Sequence, residues 1–261
     1  PLESNLWQFP VDKQIEYLIS VIRNGEALGK PEPKNYEEWI RWKLGDKICD
    51  GYLIPYNIKL WGIQPSEMDV DWLYKIPRIE VADVLRYSLE RQQDVEKYPC
   101  HNRPYYPTSG GYGRVMEAIA KDENPFIKFN TKVTKLRYDE NEKVWFVNEE
   151  FKAKNIINTT PWPDLFEAMG RPAEIKDQIT KIRYNKVVVS LFETDDNPTN
   201  YHWRYRPEMI QQHHRELYIS NFVKNNKNYG VFTETNADRF DADNLTFKGR
   251  NLFNYTTPAA Y

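Results

Sequence analysis

The stretch Val187-Val188-Val189-Ser190-Leu191-Phe192 decides the fold. It is short, β-branched and apolar almost throughout, the pattern of a central strand buried on both faces. Tyr201 to Tyr205, Glu216 to Asn221 and Gly230 to Thr233 read as its partners. Upstream, a turn at Ser109-Gly110-Gly111 precedes a short helix with Val115, Met116 and Ile119 on one face. Phe126 to Phe129, Thr131 to Tyr138, Lys143 to Val147 and Asn155 to Asn158 then follow as short strands. A mixed or antiparallel sheet is expected.

Before about Lys97 the apolar period is helical. Ile15, Leu18, Ile19 and Ile22 fall on one stripe of a helix over Val11 to Ile22, which predicts that stripe as its core face. Pro31 and Pro33 break the chain, and Asn35 opens the next helix as N-cap with Glu38 three residues on. Tyr36, Trp39, Ile40 and Leu44 line that helix, and Gly45 suits its C-terminal stop. A further helix is expected over Val81 to Val95. Helices segregated from strands predict an α+β fold, with a mainly helical subdomain over residues 1–98 and a sheet domain over residues 99–261.

With 261 residues, 40% of them hydrophobic, the chain can bury a real core. Its 36 basic and 38 acidic residues give a net charge of −2, so no global excess points to nucleic acid or an anionic membrane surface. No run approaches the roughly 18 apolar residues of a membrane helix. Pro1-Leu2-Glu3-Ser4 has no basic n-region and no apolar h-region, so a cytoplasmic protein is expected. Cys49 and Cys100 lack metal-ligand spacing and are expected to be reduced, with no metal bound. Aromatics make up 15%, including 8 Trp and 18 Tyr, which serves a core or equally a pocket for a sugar or a base. The chain starts at Pro1 and stops at Pro258-Ala259-Ala260-Tyr261 without a terminating pattern, as an internal piece of a longer protein would.

The dinucleotide fingerprint G-x-G-x-x-G does not occur: Gly110-Gly111-Tyr112-Gly113 lacks the third glycine and a preceding strand. A phosphate-loop lysine, a G-x-S-x-G elbow and H-E-x-x-H are also missing from the sequence. His213 and His214, being adjacent, cannot face one side of a strand or helix together.

What remains is longer and more specific. Pro55-Tyr56-Asn57-Ile58-Lys59-Leu60-Trp61-Gly62, followed by Met68, Trp72 and Arg78, resembles the P-Y-N-x-K-x-W segment of UDP-galactopyranose mutases, more the eukaryotic than the bacterial branch. The resemblance continues through Tyr106-Pro107-Thr108-Ser109-Gly110-Gly111, His202-Trp203-Arg204-Tyr205-Arg206-Pro207-Glu208, Arg215 and Ser220-Asn221-Phe222. Phe126 to Pro161 is similar more generally to the flavin amine oxidase and protoporphyrinogen oxidase superfamily.

This resemblance implies an enzyme with a Rossmann-like FAD domain, a helical domain and a sheet domain facing the flavin. The chain would be its substrate-binding portion, without the N-terminal FAD-binding segment and without activity of its own. The implied reaction is a non-redox ring contraction of a nucleotide sugar in polysaccharide biosynthesis, for which reduced FAD supplies the nucleophile. No side chain of this chain is then a catalytic acid, base or nucleophile. A portion of an amine or protoporphyrinogen oxidase, or a non-catalytic homologue, are the competing expectations. An interface left uncovered would favour a homodimer.

By the same resemblance, Arg215 and Arg78 hold the substrate diphosphate, which a guanidinium fork suits. The competing reading of Arg215 is a strand-edge arginine paired to a carboxylate. Trp203 and Tyr205 alternate with His202 and Arg204, so they share one face and can wall the sugar and phosphate. Asn57 and Trp61, four apart on a helix, match the uridine end; Asn102 and Tyr261 match further pocket residues. Val133, Gly110 and Gly111 match positions near the flavin. Two positions depart from the pattern. Phe222 replaces a phosphate-contacting tyrosine, and Glu3 replaces a glutamine at the uridine end, which adds repulsion towards an anionic ligand.

Overall fold

A computed structural model describes residues 2–75, 79–91, 105–121, 123–195, 199–223 and 229–257. The chain divides into two compact units, residues 1–111 with 187–256, and residues 112–186 with 257–261. The first unit therefore holds both the N-terminal helices and the larger sheet, and the boundary expected at residues 98 and 99 lies outside the described residues.

In the first unit, α1 (Val11–Ile22) forms as expected but turns a different face inward. Tyr17 and Val21 are buried, packed with Leu6, Ile48, Ile79 and Val84, while Val11 is 67% exposed and Ile15, Ile19 and Ile22 are also exposed. The helix carries two apolar stripes, and periodicity picks the longer one. Packing chooses the stripe holding the aromatic ring, which removes more area from water per residue.

The second helix, α2 (Tyr36–Leu44), begins where predicted: Asn35 is extended, and its side chain accepts a hydrogen bond from Glu38 N at 3.3 Å. It ends at Gly45, whose φ of +80° suits glycine and where a Cβ would lie 2.5 Å from the Ser20 carbonyl oxygen. A continuous helical run follows: α3 (Asp46–Ile48), a π-helical turn over Cys49–Leu53, then α4 (Ile54–Trp61). Pro55 is the second residue of α4, directly after the π-helical turn, and Gly62 closes the helix in the left-handed conformation. The last helix of this group, α5 (Val81–Glu90), stops at Arg91 with φ +54°; residues 92–95 of the expected helix lie outside the described residues.

The second unit contains α6 (Gly113–Ala120), then β1 (Leu136–Asp139), β2 (Val144–Val147) and β3 (Phe151–Ala153) as an antiparallel meander, then α7 (Trp162–Ala168) and α8 (Lys176–Lys181). Three strand expectations change here. Asn124–Phe126 is a 3₁₀ turn initiated by Pro125, so Phe126 to Phe129 is no strand. Strand β1 starts only at Leu136, because the Asn148 side chain accepts from Thr134 N and Lys135 N and donates to Lys132 O, taking the place of a ladder partner. Asn155 to Asn158 forms no strand; Asn158 Oδ1 instead accepts from Thr160 N and Oγ1, at 3.2 and 2.6 Å. On α6 no residue is buried, and Met116 and Ile119 of the expected stripe are exposed.

The remaining strands return to the first unit: β4 (Val187–Thr194), β5 (Trp203–Tyr205), β6 (Arg215–Tyr218), β7 (Tyr229–Asn236) and β8 (Arg250–Thr256). They form one antiparallel sheet in the order β5-β6-β7-β4-β8. The deciding stretch is central, flanked by β7 and β8, but its burial is one-sided. Val188, Ser190 and Phe192 are buried, whereas Val187, Val189 and Leu191 are half-buried. An apolar run shows that both faces avoid water; it does not show that both are covered.

Candidate functional site

The register fixes what the half-open face carries. Tyr205 pairs across to Arg215, Arg215 to Glu234 and Glu234 to Val189, so these four stand in one row. A parallel row runs Trp203, Leu217, Phe232 and Leu191. Trp203 and Tyr205 thus share a face with Arg215, as the alternation predicts.

Arg215 is bound to Glu234 by two hydrogen bonds, Nε to Oε2 at 2.8 Å and Nη2 to Oε1 at 2.6 Å. This is the carboxylate pair of the competing reading, though β6 lies between β5 and β7 and is not an edge. The pair leaves Arg215 Nη1 without an acceptor among the described residues, and the side chain is 37% exposed. Behind it, His214 is buried, with Nε2 3.6 Å from Glu234 Oε2. Burial lowers the His214 pKa against the pull of Glu234, so its imidazole is neutral at pH 7. Burial would raise Glu234, but hydrogen bonds from His214 and Arg215 prevail and hold it below the usual carboxylate range.

Helix α4 brings further groups to this face. The Tyr56 ring meets Tyr205 edge-on at 5.3 Å and His214 at 6.1 Å, and it stacks on Tyr52 at 5.7 Å. Burial, followed by the neighbouring phenols, raises the pKa values of both tyrosines, so they remain neutral hydrogen-bond donors. Asn57 and Trp61 do share one helical face: Trp61 Nε1 donates to Asn57 Oδ1 at 3.0 Å, while Asn57 Nδ2 donates to Leu53 O at 2.8 Å. Asn57 is buried, and Trp61 also meets Trp72 edge-on at 6.2 Å. The Asn57 amide is thus occupied within the helix, and the indole of Trp61 is the more accessible of the two.

Lys59, the lysine of the P-Y-N-x-K-x-W segment, has no role assigned by its sequence. It is 0% exposed, and Nζ donates to Arg206 O at 2.6 Å and Glu208 O at 2.9 Å, tying α4 to the segment that leaves β5. Burial, then Arg239, lowers its pKa to about 8. Nor does Glu234 have one; a carboxylate flanked by threonines in a strand is its faint signal. Phe222 packs on Tyr106 at 5.1 Å and His202 at 4.9 Å, so its ring is engaged in aromatic contact. His213 and His214 do diverge, one to Glu216 and the other to Glu234.

Arg78, Asn102 and Tyr261 lie outside the described residues. Gly110 and Gly111 have φ of +75° and +70°, and a Cβ on Gly111 would meet Tyr106 Oη at 3.5 Å and nothing nearer. Val133 is exposed and belongs to the second unit, apart from the two glycines in chain partition.

The fold of this chain, helices with an antiparallel sheet, recurs in solved structures. The structure of a reduced UDP-galactopyranose mutase aligns with all of this chain and 63% of its own length, at a TM-score of 0.77 and 19% identity. A Pyrococcus furiosus protein aligns over 95% of this chain and 64% of its own, with a TM-score of 0.56 and 11% identity. The sequence resolves the family. Residues 69–254 match the flavin-containing amine oxidoreductases, and the chain belongs to that family. Within it the chain resembles UDP-galactopyranose mutase: it is 30% identical over 93 residues to a Klebsiella pneumoniae protein named "Probable UDP-galactopyranose mutase". That match spans 36% of this chain and 21% of the relative. No described helix is long and apolar enough to cross a membrane.

Proposed function

We propose that this chain is the substrate-binding portion of a FAD-dependent enzyme of the UDP-galactopyranose mutase kind, a cytoplasmic sugar-nucleotide isomerase of polysaccharide biosynthesis. The observation that carries the reading is Arg215, its fork fixed by Glu234 and placed in one row with Tyr205 under the Tyr56 ring. A guanidinium oriented by a carboxylate on one edge offers its other edge to phosphate oxygens. Trp203 and Tyr205 provide the apolar wall a sugar ring needs. These groups clamp and orient the diphosphate, and the flavin, when bound, supplies the nucleophile.

An arginine in the pocket favours a nucleotide sugar over an amine, for which aromatic rings alone would suffice. Without a glycine fingerprint the chain by itself is expected neither to retain flavin nor to turn over substrate. Titration of the chain with UDP should give saturable binding that Arg215→Ala weakens at least tenfold. The longer gene product, reduced with dithionite, should convert UDP-galactofuranose to the pyranose form. Oxygen-dependent oxidation of amines without that conversion would sink the proposal.

A further inference from the structure

The alternation that sends Trp203 and Tyr205 to one face of the sheet sends Arg204 and Arg206 to the other. On that other side both arginines, with Lys248 and Arg250, line a cleft of about 760 Å³, within the roughly 300–1,000 Å³ of small-molecule sites. Beneath it Glu216 is 1% exposed and fully engaged: it accepts from Arg206 Nε at 2.7 Å and from Tyr218 Oη at 2.5 Å, and lies 2.9 Å from His213 Nε2. Burying a carboxylate is costly, and an apolar side chain would pack a core as well. What the burial does here is orient Arg206, whose terminal nitrogens have no acceptor among the described residues.

Charges around the cleft do not cancel. Arg206 is matched by Glu216, and Arg250 by an ion pair to Glu193. Arg204 and Lys248 have no carboxylate partner among the described residues; the Arg204 guanidinium instead lies 6.0 Å from the Tyr201 ring. Against these two cations stands Asp195, an exposed carboxylate at the rim. The wall that carries Lys248 is anchored on both sides of it. A Cβ at Gly249 would lie 2.9 Å from Glu193 O, and Phe247 packs on Phe192 at 5.0 Å and His213 at 6.1 Å.

We propose that this cleft is a second ligand site, taking a phosphate-bearing small molecule between Arg204, Arg206 and Lys248 on the face of the sheet opposite Arg215. Guanidinium groups and an ammonium held on packed backbone are the chemistry that recognises phosphate. The site is independent of the diphosphate clamp and stands whether or not that clamp proves correct.

The test uses inorganic pyrophosphate as probe, titrated calorimetrically into Arg215→Ala, in which binding at the opposite face is weakened. Saturable binding is expected, and adding Arg204→Ala and Lys248→Ala should weaken it at least tenfold with an unchanged circular dichroism spectrum. No saturable binding to Arg215→Ala, or a loss smaller than tenfold, overturns the proposal. Should the triple variant fail to fold, Lys248→Glu alone in the Arg215→Ala background, at an exposed position, is the second variant. It should weaken binding as well, and unchanged affinity there overturns the proposal equally.

Discussion

Glu234 holds Arg215 from the directly opposite position on the neighbouring strand, engaging Nε and Nη2 and leaving Nη1 outward of the pair. A side chain with many rotamers is thereby reduced to one orientation before any ligand arrives, which lowers the ordering cost of binding.

Glu234→Gln keeps the shape but can accept on one oxygen only. UDP affinity is expected to fall about tenfold, or ~1.4 kcal/mol. Stability should change by less than about 1 kcal/mol, because Arg215 is more than a third exposed and solvent screens the pair. Calorimetric titration and urea denaturation separate these quantities. An affinity unchanged in Glu234→Gln would remove the positioning role from Glu234.

Lys59→Met tests the pin between α4 and the segment after β5. It leaves the carbonyls of Arg206 and Glu208 without their donor, a loss of roughly 2–4 kcal/mol at pH 7. The folded pKa of about 8 lies below the ordinary 10.5, so above pH 8 the unfolded chain binds the extra proton. The Lys59 contribution to stability is therefore complete above about pH 10.5 and is lost as pH falls through about 8. The difference between wild type and Lys59→Met should grow by on the order of 2 kcal/mol from pH 7.5 to 10.5. A constant difference across that range would contradict the depressed amine.

Glu216 titrates at the other end of the scale. Burial alone would raise its pKa, yet His213, Arg206 and Tyr218 hold it at about 2, below the ordinary 4.5. Stability from this group is present above pH 4.5 and is lost as pH falls towards 2. Glu216→Gln should flatten the acid limb of the stability profile by about 3 kcal/mol across that window. Denaturation at pH 2.5, 4 and 6 measures it, and parallel limbs in the two proteins would contradict the assignment.

The parts of the fold legible in the sequence are those fixed by local chemistry. Asn35 and Gly45 bound α2 because a side-chain cap and a positive φ are encoded within a few residues. The centrality of Val187 to Thr194, the shared face of Trp203 and Tyr205, and the divergence of His213 from His214 follow from the period of a strand. Strand β8 escaped because Arg250 to Thr256 is an edge, largely exposed and interrupted by asparagines. Asn148 and Asn158 shortened strands by side-chain capture that propensity does not register. The buried roles of Lys59 and Glu234 were illegible for a different reason. A lysine or glutamate reads as surface until distant segments arrive, and their partners at Arg206, Glu208 and Arg215 exist only once β5, β6 and β7 are assembled.

The π-helical turn over Cys49–Leu53 offers a last, local test. Gly51 lies where the Tyr17 hydroxyl enters: a Cβ there would be 2.4 Å from Tyr17 Oη and 3.5 Å from its ring carbon Cζ. Gly51→Ala should therefore overpack the junction of α1 with this turn and cost about 1–3 kcal/mol. Tyr17→Phe removes only the oxygen, and the contact that remains is ordinary van der Waals distance. The double variant Gly51→Ala/Tyr17→Phe should recover most of the loss, giving a coupling energy of about 1 kcal/mol or more in a double-mutant cycle. Additive effects would mean that Gly51 is required for its backbone and not for the space it leaves to Tyr17.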